Sequence, residues 1–520
     1  MKNSLLLFSI LFFLCINLAE AQTSLPDSSH VLVVYNFLDQ TSIDVKNYYQ
    51  QRRGIPESNI VPLNSLFNQW ITDPATQDSH YIELRQQGEA IVDTFNTNTW
   101  CATKHAWIYF NEKIAKPIAN YLNTTYVNNA PLKDIVRFIA IAKGVPFKIH
   151  ARTAIGGNSE SRNVVVDRLL CLVGETIDDP DALLDYFWAD SCFYNPFDDF
   201  IVNPYYNVDP NFSMEENFLP NHYSKSINLF GQPRDLTLSY LVSRLDAPFL
   251  DTVKSMIDRS IAAINSSNYD WFIDSDPAPC SGAGFLKSSN TKEVFDALGI
   301  TNYFIDNTET IYTNYNIKPI MSYSSNGIWT SVGPGCDVMY FDSSYIQSQL
   351  TFTYAPGAIF NTAESFNGNT IGTWPIIRLN GQGQIPEFML TGGTVGVCQA
   401  YHGTNRGGSR IIDNSIMLPS YAMGYTFIEA AYMGMNYLTD ERVFIGDPLT
   451  RIAYPCEGTV LTSDTTISSG DYNCDIIVPE GITLTIAASS NINFGRNVAL
   501  KIEGNLNIED SVTIFFKDFS

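Results

Sequence analysis

The sequence predicts an α/β chain: a doubly wound, mostly parallel sheet over residues 26–455, followed by a short all-β segment over 456–520. Two observations predict this. Short apolar runs rich in β-branched residues recur from residue 30 onward with helical stretches between them, which is the pattern of βαβ units. After Pro455 the texture changes to a period-two alternation of apolar and polar residues broken by Gly and Asn. Residues 1–21 belong to neither part. Lys2, the short apolar run "LLLFSILFFLCI" and the small residues of "AEA" read as a secretory signal peptide cleaved after Ala21.

"HVLVVYN" (30–36) is a buried strand ending at Asn36, and "TSIDVKNYYQQRRG" (41–54) is the helix that follows. Ser42 is its N-cap, Asp44 lies in its first turn, Arg52 and Arg53 near its end, and Gly54 stops it. "IPESNIVPL" (55–63) leads into a second strand, completing one βαβ unit. "HAWIYF" (105–110) and "IVRFIAIA" (135–142) read as further central strands, and residues 172–235 as an irregular surface insertion. A strand then runs into Arg244-Leu245-Asp246, with a helix from about Pro248. "IKPIMSYSS" (317–325), "FTYAPGAIFNTA" (352–363) and "GGTVGVCQAY" (392–401) are strand-like. "TFIEAAYMGMNYL" (426–438) is an amphipathic helix and "VFIGDPLTRI" (443–452) closes the domain. In the tail, Ile482, Leu484, Ile486, Val498, Leu500, Ile502, Leu506 and Ile508 would share one face, which fits either rungs of a β-helix or a small β-sandwich.

Composition narrows the function classes. A formal charge of −23 lacks the basic footprint of a nucleic-acid partner. No later stretch is long and apolar enough for a transmembrane segment, so the expected location is secreted or cell-surface. Eight cysteines follow the signal, and Cys456 with Cys474 is the local disulfide candidate; closing that loop would stabilise by about 3 kcal/mol. No CxxC pair or Cys/His cluster has zinc spacing, so no structural zinc site is expected. The chain has no Gly-rich phosphate loop, so no nucleotide cofactor is expected either. Acidic loops leave calcium as the one candidate ligand, with Asp270, Asp274 and Asp276 close in sequence. Asn36, Ser42 and Lys143-Gly144 fall at strand C-termini, where open sheets bind ligands. Asp447 is expected to cap nearby amides, and Arg244 with Asp246 to form a salt bridge.

Several of these segments, taken in order, resemble a family of uncharacterised exported bacterial proteins. They are "VLVVYN", "YYQQRRGIPESNI", "AKGVPFKI", "SRLDAP", "PGAI", "GGTVGV" and "GDPL", and they span residues 30–455. That family is distantly similar to gingipain-type cysteine peptidases of the caspase-like fold, whose relatives often occur in Bacteroidota and use type IX secretion; no sorting domain is recognised after the tail here. The resemblance implies a caspase/gingipain-like domain with a histidine at one strand end and a cysteine at the next. The matching positions carry Ser324, Ser325 and Asn326 in the first strand, and Ala363, Glu364 and Ser365 in the second. Without a thiolate paired to an imidazole the peptidase chemistry has no nucleophile.

The leading expectation is therefore an exported gingipain-like protein without the Cys/His dyad, acting in binding or cell-surface assembly. The alternative is a hydrolase with a rearranged site around Ser365 and His402, with Glu364 and Cys398 as further candidates. A third is a calcium-stabilised module with a carbohydrate partner, since Tyr- and Trp-rich loops suit sugar stacking.

Overall fold

The computed structural model describes residues 26–97, 102–150, 164–174, 188–189, 192–193, 203, 205–206, 223–229, 232–264, 268–274, 288–297, 300–306, 319–325, 352–362, 367–375, 385–400, 412–436, 442–452, 459–472, 475–494 and 499–516. The chain divides into two compact units, Asp27–Ala453 and a second containing Tyr454–Ser520.

In the larger unit, β1 (Val31–Asn36) runs into helix α1 (Gln40–Arg53) and then β2 (Ile60–Leu63), and the two strands pair in parallel. All six residues of β1 are buried, as expected for an unbroken apolar run in the middle of a parallel sheet. The helix starts earlier than the sequence suggests. Asp39 is the N-cap, its carboxylate accepting from the Thr41 amide at 2.8 Å, whereas the buried Ser42 hydroxyl accepts from the Asn36 amide at 2.9 Å. Gly54 closes the helix in the left-handed region at φ 66°.

Next come β3 (Gln69–Thr72), β4 (Ser79–Arg85) and β5 (Ala90–Asp93), an antiparallel series outside the main sheet. The run 105–110 forms a helix, α2 (Lys104–Phe110), and not a strand. Six consecutive mostly apolar residues carry no period that separates a buried helix from a buried strand. Thr103 decides the matter locally: its hydroxyl caps the Ala106 amide at 3.3 Å. The chain continues through β6 (Phe138–Ala142), β7 (Lys148–His150), β8 (Val164–Val165) and α3 (Val166–Leu170). The expected irregular insertion contains an antiparallel hairpin, Tyr223–Leu229 with Gln232–Leu238. Then follow β9 (Leu241–Leu245), α4 (Leu250–Ile261), β10 (Asp270–Asp274), β11 (Tyr303–Asp306), β12 (Ile320–Ser325), β13 (Tyr354–Thr362), β14 (Val395–Gln399), α5 (Phe427–Met433) and β15 (Arg442–Ile445).

Ten of these strands make one sheet in the order β11-β10-β12-β13-β14-β15-β9-β6-β1-β2, and β8-β7-β5-β4-β3 make a second. Every step in the large sheet is parallel except β14 to β15. The sheet therefore consists of two parallel halves running in opposite directions. The C-terminal ends of β1, β6, β9 and β15 lie on one edge, and those of β12, β13 and β14 on the other. Among the described residues, no helix is long and apolar enough to cross a membrane.

The smaller unit is a coil of three parallel three-stranded sheets. Its strands are β16 (Thr459–Val460), β17 (Thr465–Ile467), β18 (Gly470–Tyr472), β19 (Ile476–Val478), β20 (Thr483–Ile486), β21 (Asn491–Phe494), β22 (Leu500–Ile502), β23 (Asn505–Ile508) and β24 (Thr513–Phe516). Each strand pairs in parallel with the one a rung away, for example Leu484 with Leu506 and Ile492 with Ile514. This is a β-helix rather than a sandwich. Val478, Leu484, Ile486, Ile492 and Phe494 fill its interior. Ile502, Leu506 and Ile508, expected on the same buried face, belong to the last rung and are at least 36% exposed. Val498 lies outside the described residues.

Candidate functional site

In the large sheet β2 lies on one side of β1 and β6 on the other, so the chain changes direction of progress between β1 and β6. Such a switch point leaves the strand ends uncovered by a direct connection, which is where open α/β sheets hold ligands. Here the loops after β1, β6 and β9 meet. The buried Asn36 side chain donates to the Gly144 carbonyl at 3.1 Å and accepts from the Leu38 amide at 3.0 Å, tying the first two loops together. Gly144 sits at φ +92°, and a Cβ there would also strike the Asp39 carboxylate, so both backbone and space require glycine.

Lys143 follows directly on β6. Its ammonium lies 3.2 Å from Asp246 Oδ1 and donates to the Gly372 carbonyl at 2.8 Å. Gly372 belongs to the segment 367–375, which crosses from one edge of the large sheet to the other. At the far edge the Gly368 amide donates to the Gln399 carbonyl at 2.9 Å, and the Gln399 amide to Asn367 Oδ1 at 2.6 Å. Midway, the buried Lys148 ammonium donates to the Asn369 carbonyl at 2.5 Å. At the near edge Glu89 Oε1 accepts three successive amides, Ile371 at 2.9 Å, Gly372, and Thr373 at 3.0 Å. A carboxylate facing three converging amides is an anion nest in which the anion is a protein side chain.

Burial governs the electrostatics beneath this strap. The Glu89 carboxyl is held above its ordinary range by burial and by Asp246, with Lys148 and the strap amides pulling the other way. Lys148 is pushed down to about 8 by burial, against the opposing influence of Glu89. On the outside, Phe37, Leu38, Phe249 and Trp374 are 41–54% exposed. Phe249 and Trp374 pack ring against ring at 5.1 Å. These apolar side chains stand at the same edge as the Lys143–Asp246 pair.

The expected Arg244–Asp246 bridge does not form. Arg244 points inward and grips Asp167 in a bidentate pair, Nη2–Oδ1 2.6 Å and Nε–Oδ2 2.8 Å, and also donates to the Val145 and Pro146 carbonyls. Asp246 takes Lys143 instead. Asp447 accepts from the Leu449 amide at 2.9 Å, and it also binds Tyr49 Oη at 2.7 Å and Arg53 Nη2 at 2.6 Å, fastening α1 to the loop after β15.

Cys398 lies in the interior of β14. Its Sγ is 3.5 Å from the Val443 carbonyl, and a Cβ on Gly368 would overlap the sulfur, so the strap covers it directly. Burial raises its pKa far beyond that of a free thiol, the reverse of what a nucleophile needs. Cys171 is likewise buried, free and pushed up to about 12. Ser324 is buried in β12. Ser365, Glu364 and His402 lie outside the described residues, as do Asp276 and the disulfide candidates Cys456 and Cys474. Asp270 and Asp274 are the first and last residues of β10, a span of ~13 Å at the usual strand rise.

Among the described residues, two further histidine arrangements occur. Near the start of the unit, Asp27 Oδ1 and Ser29 Oγ both approach His30 Nδ1, at 3.0 and 3.4 Å. A triad needs the acid and the hydroxyl on opposite ring nitrogens, so this is a helix capping box. The other is Asp78, His80 and His105, whose potential ligand atoms all lie within 4.8 Å of one another. The "DSH" of residues 78–80 was visible in the sequence, but reading 105–110 as a central strand kept His105 away from it.

No protein-family model matches this chain, and no curated protein matches it. Among solved structures it is similar to one described as "Structure of Protease", with a TM-score of 0.36 and 9% identity over 82% of this chain and 79% of that one.

Proposed function

We propose that this is an exported, gingipain-like protein that lacks the Cys/His dyad and acts by binding at the cell surface, residues 1–21 serving as its export signal. The ligand-binding face is the edge where β1, β6 and β9 end. The observation that carries this reading is the make-up of that edge. Lys143 and Asp246 are locked to each other and to the strap. The Ser42 hydroxyl beside β1 is buried and occupied by the Asn36 amide, and the Thr373 hydroxyl of the strap donates to the Gln86 carbonyl. Four half-exposed apolar side chains stand at the same edge. That arrangement offers contact area and a fixed charge pattern, without an activated nucleophile among the described residues.

The test has two arms. Mature protein is treated with a fluorophosphonate and with a thiol-reactive epoxide, and neither is expected to label it stoichiometrically. Labelling of Ser365 that disappears in His402→Ala would replace binding with the hydrolase reading. In the second arm, binding to immobilised peptides and glycans is compared between wild type and Trp374→Ala or Phe249→Ala. Each substitution is expected to weaken the ligand by about tenfold. Equal binding by wild type and both variants would overturn the assignment of this face.

A further inference from the structure

We propose that Asp78, His80 and His105 form a zinc(II) site in the five-stranded sheet, independent of the ligand face described above. Asp78 ends the β3–β4 turn, His80 is the second residue of β4, and His105 is in the first turn of α2. His105 Nε2 lies 3.7 Å from Asp78 Oδ1, and His80 Nε2 lies 4.0 Å from Asp78 Oδ2. In a tetrahedral site with bonds of 2.0–2.2 Å, neighbouring ligand atoms are ~3.4 Å apart. The three groups therefore stand within reach of one ion, with one ring having to turn to meet it.

The surrounding residues support a ligand role for His80. Its Nδ1 is 2.7 Å from Oδ2 of the buried Asp93, which puts the proton on Nδ1 and leaves the Nε2 lone pair facing Asp78. A carboxylate behind a histidine is the arrangement that orients metal-bound imidazoles and raises their basicity. Asp93 is itself fixed, accepting from the Phe95 amide at 2.8 Å and from the Thr103 hydroxyl. Lys104, the nearest cation in sequence, is paired with Asp73 at 3.0 Å. Phe95 packs on the His80 ring at 5.3 Å and forms an apolar wall to one side. The Asp78 side chain is 56% exposed, which leaves the fourth position to water.

Two imidazoles and one carboxylate select a borderline metal such as zinc over calcium, which takes oxygen donors. The two rings are stacked at 3.7 Å and 18°. One ion can lie in both ring planes only if those planes cross, so binding turns one ring out of the stack. Asp93 holds His80, so His105 turns, giving up its 3.2 Å contact with the Asp78 carbonyl.

Untagged mature protein, stripped with chelator, is titrated with zinc chloride by calorimetry. One equivalent is expected to bind with Kd below ~100 μM. Asp78→Ala and His80→Ala should each weaken binding at least tenfold, and Asp93→Asn by about 10–100-fold with all three ligands intact. Asp78 is exposed, so its substitution tests the site even if a buried variant fails to fold. X-ray absorption of the zinc form should show two imidazoles and no sulfur. Absence of binding below ~100 μM, affinity unchanged by Asp78→Ala and His80→Ala, or sulfur ligation would each overturn the proposal.

Discussion

Arg244 and Asp167 face each other wholly inside the protein, Nη2 2.6 Å from Oδ1, with neither side chain reaching solvent. This pair joins β9 to the short helix α3 and is completed by carbonyl acceptors from the loop after β6. Breaking it from one side leaves a buried guanidinium uncompensated. Asp167→Ala is expected to cost about 3–5 kcal/mol, measured by denaturant unfolding. Removing both charges with Arg244→Met and Asp167→Leu should cost less than the single change, because no orphan charge remains. A double variant less stable than Asp167→Ala would contradict this account.

The strap makes a second prediction. A Cβ on Gly372 would collide with the Lys143 ammonium and lie 2.5 Å from Asp246 Oδ1. Gly372→Ala should therefore push the strap off its anchors, at about 1–3 kcal/mol. Native-state hydrogen exchange is the direct measurement. The Ile371, Gly372 (now Ala) and Thr373 amides, held by Glu89 in the wild type, should exchange faster, and unchanged protection would count against the strap geometry.

A third prediction concerns pH. Burial pushes Lys148 down to about 8 in the folded protein, against about 10.4 when unfolded. Between these values the unfolded chain holds the extra proton, so stability rises with pH across the window. Its full burial contribution is present above about pH 10.4 and is lost as pH falls through about 8. The swing is about 3 kcal/mol at 1.36 kcal/mol per unit. The stability difference between wild type and Lys148→Met, followed from pH 7.5 to 10.5, should shift in favour of the wild type as pH rises. A flat difference would mean that Lys148 is not desolvated as described.

Much of the fold was legible because parallel strands buried on both faces write themselves as unbroken apolar runs. The strands around 30–36, 135–142, 238–245, 352–363 and 392–401 were readable for that reason. The same property misled at 105–110, where a helix apolar on nearly every side has no period to distinguish it. Asn36, Lys143 and Gly144 were legible as candidates from their position at strand ends alone, and the structure brings the loops that carry them together. Glu89 was not, because its partners are the amides of residues 371–373, nearly three hundred positions away in the chain.

The sequence by itself determined most of the buried parallel strands, that the tail repeats as short alternating strands, and that residues 324–326 and 363–365 carry no thiol and no imidazole. Those features depend on near neighbours and residue identity. Only the tertiary structure decided that the large sheet reverses between β14 and β15, that Arg244 belongs to Asp167 while Asp246 belongs to Lys143, and that Asp78, His80 and His105 meet. Charges pair with whatever packing brings within a few ångströms, and no local pattern in the chain encodes that distance.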